Sequence, residues 1–390
     1  MAGAPQADGG EGRARILAVF GTRPEAIKMA PVIAALRESD RISVRVAVTG
    51  QHRTMLDQVL TAFDIAPDID LDLMEENQSL DATAGRIVTG FGKVLERERP
   101  DRVLVHGDTL SSTMASLAAM LHRVPVAHVE AGLRSGDMQS PWPEEALRRM
   151  TGVLADLHFA PTKAAAAALR AENVAEDAIT VTGNTVIDAL LWARSRIAAD
   201  PALAPLASEL GARFAGKRLI VVTAHRRESF GPGFEAVARA LRRLATREDV
   251  GIVFPLHPNP QVARIMRPAL SRIENVALTQ PLDYHDFVAL LDRATLVLTD
   301  SGGVQEEAPS LDTPVLVMRE TTERPEGIEA GTAKLVGTDE DAILAAANLL
   351  LDDAAAHAAM ASARNPFGDG QAAARIAKVL EARHSPDANS

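Results

Sequence analysis

The chain has 390 residues, 47% of them hydrophobic, a formal charge of -11 and no cysteine. Single cores stop growing near ~250 residues, so this length implies two folded lobes. The lack of cysteine excludes disulfides, thiolate metal sites and cysteine nucleophiles and fits a reducing, cytoplasmic setting; the negative charge opposes nucleic acid and anionic membranes as partners, except through a local basic pocket.

Residues 1–14, MAGAPQADGGEGRA, are small, polar and Gly-rich, with no apolar run long enough for a signal-peptide core or a membrane span. They are expected to form a disordered tail. From Arg15 onward, β-branched runs alternate with helical segments: ILAVF, VRVAVT, RVLVH, VPVAHV and AITVT, then LIVVTA, GIVFPL, VALT, TLVLT and PVLVM. Such alternation predicts parallel sheets flanked by helices, an α/β fold. An Ala/Leu-rich stretch near residues 185–216, broken by Pro201, Pro205 and Gly211, is where the domain boundary is expected. The expected division is an N-terminal Rossmann-like domain over 15–185, a C-terminal one over 186–368, and a final segment, 369–390. The apolar positions Ala374, Ile376, Val379 and Leu380 of that segment suit a helix packed back on the first lobe. Ligands in open α/β sheets bind beyond the carboxyl ends of the strands, so two such edges predict a cleft between the lobes.

The first strand runs into FGTRPEAIK, where Gly21 permits a tight turn, Pro24 suits a first helical turn, and Arg23 and Lys28 add positive charge. An anion site and a plain helix cap with two solvated cations both fit. Pro31 predicts a kink or a restart in that helix. In TDSGGVQEEAPS, a strand ending at Thr299 leads through Ser301, Gly302 and Gly303 into a helix. Backbone N–H groups and the helix dipole there favour phosphate over a mere turn. The pattern Gly368 to Ala373 imitates a dinucleotide fingerprint but follows Pro366 and Phe367 rather than a strand, so it is set aside.

Asp108, Glu130 and Glu144 stand in strand-end contexts, where a partly desolvated carboxylate can act as general acid or base; a cap or an ion pair is the competing role for each. His225, with Arg226 and Arg227, follows a strand and suits a phosphate oxygen, as do Arg319 and Arg324. An ion pair with a nearby glutamate is equally open to Arg227 and Arg319. The ten histidines show no HExxH or comparable spacing, so no transition-metal site is expected.

The blocks FGTRPEAIKMAP, QHRTMLDQVL, HGDTLSST, HVEAGLRSG, SPWPEE, TGNTVIDALL, HRRESFG, DSGGVQEEAPS, MRETTERPE and NPFGDGQA resemble the motifs of non-hydrolysing UDP-N-acetylglucosamine 2-epimerases. They occur in family order from about Arg15 to about Ala374. The resemblance implies a glycosyltransferase-B type fold of two Rossmann-like doubly wound domains, with the nucleotide on the C-terminal lobe and the sugar in the cleft. It implies inversion at C2 of UDP-N-acetylglucosamine to UDP-N-acetylmannosamine, through UDP elimination, a 2-acetamidoglucal intermediate and re-addition. On the matching positions it makes Asp108, Glu130 and Glu144 the acid/base set and puts His225 beside the diphosphate. Arg23 and Lys28 fall in the cleft, Ser301, Gly302 and Gly303 at the phosphates, Glu307 at the ribose, Phe287 against the uracil, and Arg324 closing on the substrate. A homodimer and no cofactor, neither nicotinamide nor metal, are also implied. A hinge near residues 185–216 would let the lobes close and retain UDP.

Two positions depart from the family pattern: Leu282 replaces a frequent polar residue on the uracil side, and Thr54 stands where some members carry a glutamine that touches an activating second substrate molecule. The rival readings are a 2-epimerase of another UDP-2-acetamido sugar, a glycosyltransferase on the same fold, a hydrolysing relative, and a non-catalytic nucleotide-sugar sensor.

Overall fold

The structure, a computed structural model, describes residues 12–50, 53–73, 78–226 and 230–384, the side chains of 53–55 excepted. Tail residues 1–11, the side chain of Thr54, and Arg227 lie outside the described residues. The chain divides into two compact units, Met1–Ala189 with Gly370–Ser390, and Leu190–Asp369.

The first unit holds β1 (Ala14–Phe20), α1 (Arg23–Arg37), β2 (Ile42–Val48), α2 (Arg53–Ala62), β3 (Ile69–Asp70), α3 (Leu80–Glu98), β4 (Arg102–His106), α4 (Leu110–Leu121), β5 (Val126–Val129), α5 (Glu144–Leu154), β6 (Leu157–Ala160), α6 (Lys163–Ala171) and β7 (Ile179–Val181). Its seven strands run in the order β3-β2-β1-β4-β5-β6-β7, and all the pairs are parallel, with Ile16 opposite Val44 on one side and Arg102 on the other. Ile16 to Phe20 are five consecutive buried residues, as expected for a central strand covered by helices on both faces. Ala14, assigned to the tail from sequence, opens β1, and Arg13 Nε donates to the Asp40 carbonyl at 2.8 Å.

Helix α7 (Thr185–Ala199) carries the division between the units, which falls near the start of the Ala/Leu-rich stretch rather than at its prolines. The second unit continues with α8 (Pro205–Arg213), β8 (Arg218–Thr223), α9 (Pro232–Leu244), β9 (Val250–Pro255), α10 (Pro260–Leu270), β10 (Val276–Thr279), α11 (Tyr284–Arg293), β11 (Leu296–Thr299), α12 (Gly302–Glu307), β12 (Val315–Val317), α13 (Pro325–Glu329), β13 (Ala333–Leu335), α14 (Glu340–Asp352) and α15 (Ala354–Ala361). Its six parallel strands take the order β10-β9-β8-β11-β12-β13. Its core gathers Phe234, Leu241 and Leu244 of α9, Ile252 and Phe254 of β9, and Met266 and Leu270 of α10. Each such side chain contributes about 1.5–3 kcal/mol by leaving water.

The last helix, α16 (Ala372–Arg383), belongs to the first unit and packs on α1. Its first N–H groups, of Ala372 and Ala373, donate to the buried carboxylate of Asp188 at 3.2 and 2.9 Å. The positions where a fingerprint would hold pyrophosphate are therefore occupied by a side chain. Helix α1 runs unbroken through Pro31, so the restart expected there does not occur.

Both sheets reverse direction of build-up at one place, between β1 and β4 in the first unit and between β8 and β11 in the second. Loops leaving the carboxyl ends of strands at such a switch point diverge and leave a crevice for ligand. The four loops concerned begin at Gly21, Gly107, Ala224 and Asp300.

Candidate active site

In the first unit, the loop after β1 is fixed by a fully buried carboxylate. Glu25 Oε2 accepts from the N–H groups of Gly21 at 3.0 Å and Thr22 at 2.8 Å, closing a capping box with Thr22. Its other oxygen accepts from Thr109 Oγ1 at 2.6 Å and Ser112 Oγ at 2.8 Å, at the start of α4. Burial raises the pKa of Glu25, and these hydrogen bonds offset that only in part. The carboxylate thus ties together the two loops that flank the switch point. Gly21 is required by close approach: a side chain there would overlap Thr49 Oγ1 and Ser111 Oγ, which are hydrogen-bonded to each other at 2.8 Å.

Glu130 follows directly on β5 with a left-handed backbone, φ 60°, a conformation costing a non-glycine residue roughly 1 kcal/mol. Its Oε2 pairs with Lys28 Nζ from α1 and accepts from Asn184 Nδ2 at 2.8 Å. Both donors favour the carboxylate form. His106, the last residue of β4, is buried, and neither ring nitrogen has a hydrogen-bond partner among the described residues; Nε2 lies 3.9 Å from Glu130 Oε2. Burial pushes its pKa down to about 4, with Glu130 raising it and Lys28 lowering it further. The imidazole is neutral at neutral pH.

Asp108, two residues past β4, is ion-paired with Arg148 of α5. Glu144 does not lie at a strand end, as its sequence context suggested; it is the first residue of α5, beyond the long loop that leaves β5. One of its oxygens, Oε2, is buried without a partner among the described residues. Neighbouring Glu145 is fully buried and anchors the same helix, accepting from Ser135 N–H at 2.9 Å and Arg149 Nε at 2.9 Å. Burial raises its pKa, but these donors and Arg148 outweigh burial and leave it below the usual value. Arg23 is the first residue of α1 and is half-buried.

In the second unit, His225 and Arg226 follow β8, and Asp300 follows β11. Buried Asp300 accepts at Oδ2 from the backbone N–H of His225 at 2.7 Å and of Arg226 at 2.8 Å. Its Oδ1 lies 3.1 Å from His225 Nδ1. Burial raises the Asp300 pKa, yet His225 and the two N–H groups win and hold it below normal. The His225 ring stacks on His257, centroids 5.1 Å apart.

Ser301 caps α12 by position only, its side chain making no capping hydrogen bond. The first N–H groups of a helix have no partner within it. A Cβ added at Gly302 would meet, beyond its own turn of chain, the Arg324 guanidinium at 3.8 Å and that of Arg226 at 4.0 Å; the space above the glycine faces two cations. Arg324 is ion-paired with buried Glu306. Arg319 pairs with Glu323 at 2.7 Å, so the ion-pair alternative is realised for it; partial desolvation raises the pKa of Glu323, but the Arg319 guanidinium outweighs it and draws the carboxyl down to about 2. Glu307 is buried at the end of α12, and Phe287 is half-buried in the first turn of α11, with Leu282 buried in the loop before it.

The first unit thus gathers Lys28 with Glu130, and Asp108 with the helix that starts at Glu144. The second gathers His225 with the loop at Ser301–Gly303 and Arg324. His106, Asn184, Arg148, Glu25, Asp300 and Glu306 were not singled out from sequence. Each lies inside a quoted motif or beside one, and that adjacency was the available signal.

Carboxylates at and beside one doubly wound switch point, and cations over a glycine-rich helix start at another, fit a nucleotide-sugar enzyme of the glycosyltransferase-B type. The UDP-N-acetylglucosamine 2-epimerase family model matches residues 34–381. The chain belongs to the UDP-N-acetylglucosamine 2-epimerase family. It is 53% identical to the UDP-N-acetylglucosamine 2-epimerase of Salmonella typhimurium over 369 residues, 94% of this chain and 98% of that one. With the enzyme of the same name from Escherichia coli K12 it shares 52% over 372 residues, 94% and 98% of the two chains. The crystal structure of UDP-GlcNAc 2-epimerase from Neisseria meningitidis bound to UDP-GlcNAc superposes with a TM-score of 0.86 at 44% identity, covering 94% of this chain and 99% of that one. Among the described residues, no single helix is long and apolar enough to cross a membrane.

Proposed function

We propose that this chain interconverts UDP-N-acetylglucosamine and UDP-N-acetylmannosamine by eliminating and re-adding UDP. A base removes the proton from C2 as the C1–O bond breaks, giving UDP and 2-acetamidoglucal. UDP oxygen then re-forms the bond to C1 while an acid protonates C2 on the opposite face. One proton leaves and one arrives, so the reaction is a net isomerisation with no oxidant or reductant.

The observation that carries this proposal is the setting of Glu130, a carboxylate that follows β5, next to the switch-point strand β4, and is held by Lys28 and Asn184. Such a group is anionic and positioned, the state a general base needs. Asp108 and Glu144 complete the acid/base set. Asp108 is held by Arg148, and Glu144 keeps a buried oxygen without a partner among the described residues. Lys28 and Arg23 serve the sugar side. His225, oriented by Asp300, stabilises charge on the departing diphosphate. The N–H groups of Gly302 and Gly303 and the Ser301 hydroxyl receive the phosphates, the Ser301 N–H being taken by Thr299 Oγ1 at 2.9 Å; Glu307 meets the ribose, Phe287 the uracil, and Arg324 closes over the diphosphate.

Positional isotope exchange tests the elimination. With 18O in the oxygen bridging C1 and phosphorus, the label is expected to spread to the non-bridging positions as epimerisation proceeds, and traces of 2-acetamidoglucal are expected to escape. Product forming with the label unmoved and no glucal released would contradict this route.

A further inference from the structure

Glu130 has well-placed partners for its anionic state. Lys28 Nζ and Asn184 Nδ2 are donors only, and both act on Oε2. An acid/base group spends part of its cycle protonated, and a protonated carboxyl needs an acceptor for its O–H. Water is scarce there, since the Glu130 side chain is 9% exposed and that of His106 4%. The imidazole of His106 offers an acceptor nitrogen 3.9 Å from Oε2, and its two nitrogens have no other partner among the described residues. A shift of about 1 Å brings the pair to hydrogen-bonding distance.

Resting on the C2 epimerisation proposed above, we propose that His106 is a positioning residue for Glu130, its Nε2 accepting the hydrogen bond of the protonated carboxyl. The charged and titratable groups facing the imidazole are Glu130, Lys28 of α1 and His128 of β5. Burial keeps the ring neutral, with a pKa of about 4, so it remains an acceptor through the cycle. The proton stays on Glu130 between C2 and its next acceptor. His106 gains and loses none.

The experiment combines activity with a direct titration. Glu130 is followed by 13C carboxyl NMR in the wild type, His106→Leu and His106→Gln, and assigned by the signal missing from Glu130→Gln. In His106→Leu the acid form loses its acceptor, so Glu130 is expected to titrate about one pH unit lower and kcat to fall about tenfold with KM within about twofold. His106→Gln, which keeps an acceptor at the same reach, is expected to restore both. A purely apolar filler role would leave the titration unchanged or raise it, and that result overturns the proposal. In the wild type, 15N NMR is expected to show His106 Nε2 as the unprotonated nitrogen; an Nε2–H tautomer across the pH range overturns it even if the variants fail to fold. If the wild type does not epimerise UDP-N-acetylglucosamine, the functional proposal falls, while the titrations still decide the role of His106.

Discussion

Replacing Glu130 by glutamine is expected to lower turnover by roughly 10²–10⁴-fold, the worth of a positioned acid or base, while leaving UDP affinity nearly unchanged. The amide has the volume of the carboxylate, and its carbonyl can still accept from Lys28 or Asn184, the two donors on Oε2. What it cannot do is exchange a proton near neutral pH. The UDP contacts are assigned to the second unit, so a calorimetric titration with UDP separates lost chemistry from lost binding. Lys28 is 14% exposed and loses its counter-charge, so some loss of thermal stability accompanies the change. Near-normal kcat in a folded Glu130→Gln would remove Glu130 from the mechanism.

Asp300→Asn is expected to lower kcat by about 10²-fold, the scale of losing one transition-state donor. Asp300 Oδ2 takes two backbone N–H groups, and Oδ1 faces His225 Nδ1 at 3.1 Å. In asparagine the carbonyl oxygen must keep the two N–H groups, which turns the amide NH2 toward Nδ1. His225 is then forced to accept at Nδ1, which removes the Nδ1–H contact that orients its ring toward the leaving diphosphate. Steady-state kinetics on the variant, with Tm as the folding control, read this directly. Unchanged kcat would mean that His225 does not act on the leaving group in the orientation Asp300 sets.

Ten of the strands follow from β-branched runs in the sequence. The ones missed have local reasons. Ile69–Asp70 is two residues long, too short for any periodicity to register, and Ala333–Leu335, reading AKL, has no β-branched residue. Leu157–Ala160 is fully buried yet carries His158, which breaks its apolar pattern. The candidate site was legible as motifs, not as pairs. Lys28 and Glu130 stand 102 residues apart, Asn184 and Glu130 54, and His225 and Asp300 75. The order of strands in each sheet, which spacing along the chain does not encode, brings these groups together. Glu144 illustrates the same limit, since its Pro-rich approach reads as a loop after a strand while the chain uses it to start a helix. Glu25 was passed over because a glutamate in a first helical turn is ordinary; its burial and its bonds to Thr109 and Ser112 exist only in three dimensions.

The central claim, C2 epimerisation through loss of the C2 proton, is tested most directly by proton NMR of UDP-N-acetylglucosamine with the purified protein in deuterated buffer, without added metal or nicotinamide. The predicted result is deuterium at C2 together with the signals of UDP-N-acetylmannosamine. Hydrogen retained at C2 with no second sugar nucleotide, or release of UDP with free N-acetylmannosamine, would contradict it.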